Sequence, residues 1–229
     1  MKRMKCSLVV SSCIAVVLLA AGVARAAGVS VNCPPYGTDD LQAAISGAAV
    51  GATVSVKGVC AGNFDVDRNL VVQGSPAAVL DGNQAGRTLV VEGGAVVTLR
   101  NLTIRNGRAH DFGGGLFADS FSTVSVLDST VTENQAGDVQ AIGYGGGVYV
   151  KSSATVNLTN TKVIGNVAAY GGGIDMDASA TVDAVDSIIS ANKATSGAGG
   201  GIDAIFGAFS TIELERSTVS ANKIGRAHV

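Results

Sequence analysis

Three aspartates late in the chain have the spacing best suited to joint chemistry. Asp175 and Asp203 follow their triple-glycine runs at the same offset, and Asp177 lies two residues beyond Asp175. If the runs mark equivalent points of a repeat, these carboxylates lie on adjacent turns, with Tyr149 and Lys151 one turn earlier. Carboxylate oxygens can bind Ca²⁺ or act as general acid and base. The favoured interpretation is a solvated acidic face whose repulsion Lys151 relieves, ahead of a weak Ca²⁺ site and of catalysis.

Aromatic residues gather beside the same glycine runs. Phe112, Tyr144 and Tyr170 each come directly before a run, and Phe117 and Tyr149 come two residues after one. A row of rings along a groove can stack on sugar rings, and the same row can also be a structural ladder that closes a turn. The ladder is favoured. The five rings, the three aspartates and the lysine together form the candidate binding set.

The glycine runs belong to an internal repeat. They begin at Gly113, Gly145, Gly171 and Gly199, with spacings of 32, 26 and 28 residues. Blocks of 13 residues also align without gaps. These blocks are 122–134, 154–166, 180–192 and 210–222, and 95–107 fits the same frame. Apolar columns two residues apart within the blocks predict one face of a strand, because strand side chains alternate.

Stacked copies of this unit predict an all-β solenoid. Two strands fall within each block, and a third follows each glycine run, with Ile174 and Met176 pointing inward and Asp175 and Asp177 outward. Each strand would pair in parallel with its copy about 4.8 Å away. An asparagine column would form a turn ladder. It consists of Asn134, Asn166, Asn192 and Asn222. The period and strand grouping favour a right-handed parallel β-helix with three short strands per coil.

The N-terminal part differs from the repeat. Residues 1–26 have a basic start, a short apolar stretch and a small-residue site, which predicts a signal peptide. Residues 27–60 are predicted to be a cap, in which Thr38 begins a short amphipathic helix with two aspartates in its first turn. Cys33 and Cys60 remain after cleavage and are predicted to form a disulfide, with a redox pair or metal ligands as alternatives.

The coils are predicted to occupy residues 61–223. Residues 224–229 match the translation of a common sequencing adapter, and they interrupt a repeat directly after Lys223. We therefore expect the natural protein to continue differently beyond this point, so that the chain is a fragment.

Charge and hydropathy restrict the partners. Loss of Lys2, Arg3, Lys5 and Arg25 with the signal leaves 12 basic side chains against 18 acidic ones, a net charge of −6. Nucleic acid is not expected as a partner, since phosphate binding needs clustered Lys and Arg. No later apolar stretch predicts a transmembrane helix. We expect an exported monomer, extracellular or on the outer-membrane surface, without a cofactor apart from the weak Ca²⁺ option.

The glycine and asparagine motifs resemble those of a known group. The pairing of GGG[ILV] with [VI]xxN is similar to the GGAI and FxxN repeats of polymorphic outer membrane proteins, although Val or Ile replaces Phe. The cap and early coils resemble right-handed β-helix proteins of the pectin-lyase-like superfamily, and the likeness covers residues 31–223. The resemblance implies the fold more specifically than the function, because this fold carries lyases, hydrolases, adhesins and autotransporter passengers.

Catalytic patterns of such proteins are missing from the sequence. The paired-Asp and GHG pattern of the hydrolases is absent, as is the Arg-rich pattern of the lyases. His110 is the one histidine between the signal and the last six residues, which leaves no Ser-His-Asp arrangement. We therefore expect a non-enzymatic adhesin, passenger or carbohydrate-binding scaffold whose partner is a polysaccharide or a cell surface. The alternative is a polysaccharide lyase or glycoside hydrolase whose catalytic coils are lost to truncation.

Overall fold

The computed structural model describes residues 28–138, 141–204 and 209–225. The described residues contain one helix, α1 (Leu41–Gly47), and short strands throughout. In chain order the strands are β1 (Val29–Asn32), β2 (Thr53–Ala61), β3 (Phe64–Val66), β4 (Leu70–Asp81), β5 (Leu89–Val91), β6 (Val96–Arg105), β7 (Arg108–Ala109), β8 (Leu116–Ala118), β9 (Thr123–Leu127), β10 (Thr130–Thr132), β11 (Gln135–Ala136), β12 (Val148–Val150), β13 (Thr155–Thr159), β14 (Lys162–Ile164), β15 (Val167–Ala168), β16 (Ile174–Met176), β17 (Thr181–Val185), β18 (Ile188–Ser190), β19 (Lys193–Ala194), β20 (Ile202–Asp203), β21 (Thr211–Glu215), β22 (Thr218–Ser220) and β23 (Lys223–Ile224).

These strands stack into a parallel β-solenoid of about seven turns, which confirms the predicted fold class. Three sheets run along its axis. Sheet A contains the long strands β2, β4 and β6, followed by the pairs β9/β10, β13/β14, β17/β18 and β21/β22. Sheet B is β3-β5-β8-β12-β16-β20, and sheet C is β7-β11-β15-β19-β23. From β6 onward, each coil therefore presents its outward side chains at the same three faces.

The tube interior is an aliphatic column in strict register. Val124 pairs with Val156, Val156 with Val182, and Val182 with Ile212, as the aligned blocks predicted. The three valines are fully buried, and each such side chain contributes roughly 1.5–3 kcal/mol. Ile212 is 40% exposed because no further described coil packs over it.

Later coils hold four strands, where the sequence predicted three. The extra strand has two residues, such as Gln135–Ala136 in β11, and lies directly after the asparagine turn. It was missed because two residues cannot show an alternating pattern. Its inward alanines form a small separate cluster of Ala109, Ala136 and Ala168.

The N-terminal cap closes one end of the tube. Helix α1 buries Leu41 and Ile45, and its N-cap is Asp40, whose side chain accepts a hydrogen bond from the Ala43 N–H. The prediction of Thr38 as N-cap, with acidic residues in the first turn, is therefore wrong. The predicted disulfide is confirmed, since Cys33 and Cys60 are bonded with their Cα atoms 5.1 Å apart. The predicted signal peptide and residues 226–229 lie outside the described residues.

The asparagine column forms a continuous ladder of hydrogen bonds at one turn. Asn166 Oδ1 accepts from both the backbone N–H and the side-chain amide of Asn134, each at 3.0 Å. Asn192 does the same for Asn166, and Asn222 for Asn192. The left-handed residue of the turn is the one directly before the asparagine, for example Glu133 at φ +56° and Ala191 at φ +55°. The asparagines therefore act through their side chains and not through unusual backbone.

A second ladder lies at the turn between the two strands of each sheet A pair. It consists of Ser129, Thr161, Ser187 and Ser217. The hydroxyl of Ser187 accepts from the Thr161 N–H at 3.1 Å and donates to the carbonyls of Leu158 and Val185. Sequence analysis missed this ladder, although the hydroxyl recurs at the eighth position of four aligned blocks.

Candidate functional site

The outer face of sheet B carries four of the candidate residues in one column. From the cap onward the column is Asp65, Val90, Phe117, Tyr149, Asp175 and Asp203. Their strands pair in parallel, so each side chain lies beside its counterpart on the next coil. The predicted adjacency of Asp175 and Asp203, with Tyr149 one coil earlier, matches this register.

The triple glycines fold the chain back over this face. The first glycine of each run has a positive φ, for example +65° at Gly145 and +55° at Gly171. A Cβ on Gly171 would lie 2.5 Å from the Cβ of Asp175, so the backbone approaches the column too closely for any side chain. The residue before each run is thereby placed against the outer face of sheet B.

The aromatic residues stack mainly on one another. The ring centroids of Phe112 and Tyr144 lie 5.4 Å apart and those of Tyr144 and Tyr170 5.3 Å apart, both pairs nearly parallel. Phe117 stacks on Tyr149 at 5.7 Å, and Phe112 tilts against Tyr149 at 4.6 Å. Most ring faces are therefore occupied by neighbouring rings, which is the arrangement of a structural ladder and leaves few faces for a sugar.

Asp175 is enclosed by this arrangement. Its relative exposure is 0%, and neither carboxyl oxygen has a hydrogen-bond partner. Burial, together with the negative charges of Asp203 and Asp177, raises the pKa of Asp175 to about 8. The predicted solvated face is therefore wrong at Asp175. The sequence could not show this, because the cover comes from glycine turns and rings that lie apart from it in sequence.

Asp203 is the second acid of the column. Its Oδ2 is also buried without a partner, while its Oδ1 accepts from the Ala204 N–H at 2.9 Å. Burial raises the pKa of Asp203 as well. An uncharged carboxyl is the less costly state at such a site, because an unpaired charge loses its hydration without compensation.

The remaining charged candidates pair elsewhere. The Nζ of Lys151 contacts Asp119 Oδ1 at 2.8 Å, so this lysine neutralises Asp119 and not the aspartate column, contrary to the prediction. Asp177 Oδ2 accepts a hydrogen bond from the Ser152 hydroxyl at 2.9 Å. Among the residues that the structure describes, no three His, Cys, Asp or Glu side chains are grouped so that they could hold a metal ion. Asp175, Asp177 and Asp203 therefore form no such group.

One residue that contacts the aromatic stack, Arg87, was not predicted from the sequence. Arg87 pairs with Asp111, donates from its Nε to the Phe112 carbonyl at 2.7 Å, and lies 5.0 Å above the Phe117 ring. No sequence pattern indicated this role, because Arg87 lies in a coil without a triple glycine. Its contacts hold the first aromatic residue of the stack in place.

This site presents a ring stack and one enclosed acid, Asp175, beside the half-exposed Asp203. No substrate atom can contact Asp175 in this arrangement, since a general acid must be within hydrogen-bond reach of the group it protonates. The outer rim, with Phe117, Lys151 and Asp177, is half-exposed and available for contact.

Within the described part of the chain, no helix is both long and apolar enough to cross a membrane.

Comparison with known proteins gives one match. A family model described as "Right handed beta helix region" matches residues 51–229. No curated protein and no solved structure matches the chain. The similarity of the repeats to those of polymorphic outer membrane proteins stays a prediction.

Proposed function

The chain belongs to the right-handed β-helix family, and on that basis we propose that it is an exported, non-catalytic binding solenoid. It acts at the cell surface or outside the cell as an adhesin, a passenger or a carbohydrate-binding scaffold. The family itself does not distinguish binding proteins from enzymes, because the same fold carries both.

The burial of Asp175 is the observation that carries this proposal. The two in-register carboxyls are the best acid pair predicted from the sequence, and three of their four oxygens are buried without partners. A glycosidase needs two carboxyls that flank a bond of the bound substrate. Asp175 is closed to substrate, whereas the outer faces of the sheets present regular rows of polar side chains suited to binding.

A polysaccharide lyase or glycoside hydrolase is the second candidate. One observation favours it, namely the raised pKa of Asp175, because a carboxylic acid that stays protonated near neutrality is suited to general-acid catalysis. For this candidate the ring stack would have to open and admit substrate to the pair.

The test compares binding with turnover on one protein. Residues 27–229 are produced with the disulfide intact, and a polysaccharide panel is assayed for retention and for new reducing ends or unsaturated products. The Asp175→Asn/Asp203→Asn double variant is the matched control. We expect retention of at least one polysaccharide or cell-surface preparation, equal for both proteins, with no product from either. Product from the wild type that the double variant does not form would establish the enzyme instead.

A further inference from the structure

Two phenylalanines project from the solenoid surface at equivalent turns of different coils. Phe121 is 75% exposed with described coils on both sides, and Phe209 is 90% exposed in the last described coil, over which no further described coil packs. Both directly precede the sheet A part of their coil. Each has a positive φ, +65° for Phe121 and +71° for Phe209. Among the described residues neither ring contacts another aromatic ring.

The repeat supplies an internal control for these positions. The same turn occurs in the other coils with Gly94, Ser153 and Ser179 in the place of phenylalanine, all with positive φ. Its closing hydrogen bond is also the same, from the Ser122 N–H to the Asp119 carbonyl in one coil and from Ala154 to Lys151 in the next. The turn therefore does not need phenylalanine.

Phenylalanine is a poor choice for the fold at this turn. A bulky side chain disfavours the left-handed backbone conformation that the turn imposes, and the exposed rings bury little surface. Residues that are unfavourable for the fold and are nevertheless present at exposed, strained positions point to a role in binding. Here the same cost occurs twice in equivalent turns, while the turns between them have serine.

The two rings lie at the ends of a polar stretch of surface that runs along the solenoid axis, which we call the saddle. They lie three coils apart, which at the strand spacing of a β-sheet is roughly 14 Å. Ser153 and Ser179 occupy the intervening turns and are exposed. A row of outward threonines, in register, borders the saddle on sheet A. These are Thr123, Thr155, Thr181 and Thr211.

The other border is charged and weakly acidic. Asp119 and Lys151 form an ion pair at 2.8 Å, and Asp177 adds a further carboxylate, held by the Ser152 hydroxyl. We call the whole strip, from Phe121 through Ser153 and Ser179 to Phe209, the Phe ridge. It therefore combines two apolar ends, a hydroxyl-rich middle and a small negative charge.

We propose that the Phe ridge binds an extended, neutral glycan chain, a proposal that rests on the binding function proposed above and gives its ligand class. A pyranose ring has an apolar C–H face that stacks on an aromatic ring, and its hydroxyl edge exchanges hydrogen bonds with serine and threonine. A chain lying along the axis contacts both rings and the saddle at once. An acidic chain would meet the carboxylates of Asp119 and Asp177.

Other occupants fit the ridge less well. A membrane surface binds through a continuous apolar face bordered by a basic cluster, and the ridge has a single lysine, already paired with Asp119. A protein interface usually buries a contiguous apolar centre, whereas here the centre is the pair of serines.

The experiment measures binding of neutral hexasaccharides by calorimetry. Cellohexaose, laminarihexaose, xylohexaose and maltohexaose are the probes, with polygalacturonate and phosphatidylcholine vesicles as comparison ligands. The proteins are the wild type, Phe121→Gly, Phe209→Ser, the double variant and Phe121→Tyr. Tyr36→Ser is the matched control, because Tyr36 is an exposed ring on the cap, away from the ridge.

We expect the wild type to bind at least one neutral hexasaccharide. Each single loss of a ring should weaken binding at least tenfold, and the double variant should not bind measurably. Phe121→Tyr and Tyr36→Ser should bind like the wild type. Phe121→Gly should also melt at the same temperature as the wild type or higher, since glycine suits the turn, which separates loss of binding from loss of folding.

Three outcomes would overturn the proposal. They are no binding of any neutral hexasaccharide by the wild type, equal binding by the double variant, and ring-dependent binding of the vesicles in place of glycan. Binding of polygalacturonate alone would overturn the Phe ridge proposal and leave the general binding function standing. If the wild type retained no member of the polysaccharide and cell-surface panel either, both the Phe ridge proposal and the general binding function would be wrong.

Discussion

Asp175 shows how strongly one residue's chemistry depends on what covers it. Its place in the column follows from the repeat, yet its carboxyl has no exposed surface and no hydrogen-bond partner. Leaving such a group charged is expensive, so burial raises its pKa to about 8. The groups facing it are Asp203, Asp177, Tyr144 and Tyr149, and none of them is a cation. At neutral pH the acid is therefore mainly protonated.

The raised pKa predicts a pH dependence of stability. The folded state holds the Asp175 proton more tightly than the unfolded chain, so the associated stability is fully present below about pH 4 and is lost as the pH rises to about 8. We expect the difference in unfolding free energy between Asp175→Asn and the wild type to change by up to about 1.4 kcal/mol per pH unit in that window, in favour of the variant at high pH. Denaturant unfolding at several pH values measures it.

The control for this prediction lies on sheet A. Asn157→Ala removes an uncharged, half-exposed side chain from the outer face of β13 and should give a difference from the wild type that does not change with pH. A flat profile for Asp175→Asn would contradict a buried proton at this position.

At the scale of the elements, the turns hold the coils together as much as the strands do. Asn134, Asn166 and Asn192 each bond both forward and backward along the axis, so that the buried N–H groups at this turn have partners. Strands of two or three residues supply few hydrogen bonds of their own. The ladder therefore fixes where one short strand ends and the next begins.

Removing one asparagine from the ladder should lower the free energy of unfolding. In Asn166→Ala the buried N–H of Asn134 and the Val131 carbonyl lose their partners, for which we expect a loss of about 3 kcal/mol in the free energy of unfolding. Asn157→Ala, on the half-exposed outer face of the same coil, should change it by less than about 0.5 kcal/mol. Chemical denaturation of the two variants is the measurement, and similar losses in both would show that the ladder is not a stabilising element.

At the scale of the whole molecule, the solenoid is a one-dimensional stack whose N-terminal end is closed by the cap. Helix α1 covers the first coil with Leu41 and Ile45, and the disulfide ties β2 to the segment before the helix. In such a stack each coil is stabilised only by its neighbours, so the stability of an end depends on what covers it.

Loss of the disulfide should weaken the cap end. Its cysteines are 27 residues apart in sequence, and closing a loop of that size in the unfolded chain is worth about 3 kcal/mol. The Cys33→Ser/Cys60→Ser double variant should have a lower Tm by calorimetry, and the wild type under reducing conditions should match it. An unchanged Tm would mean that the cap is held by packing alone.

The repeat made the solenoid, its register and the asparagine column predictable from sequence, and the disulfide was predicted from the two cysteines that follow the predicted signal peptide. The periodic apolar residues show which side chains face inward. Their inward orientation depends on the alternation of side chains within each strand and on the stacking of equivalent residues in successive coils. The periodicity alone therefore suffices to align Val124, Val156, Val182 and Ile212, which the strand register confirms.

Tertiary structure alone decided which side chains water can reach. The burial of Asp175, the pairing of Lys151 with Asp119, and the exposure of Phe121 and Phe209 all depend on how the turns fold over or away from the outer faces. Those turns differ in length and conformation from coil to coil, and their cover comes from residues one or more coils away. Sequence periodicity determines which side chains pack inside the tube, because equivalent residues of successive coils stack on one another there. It does not determine which side chains on the outer faces are covered.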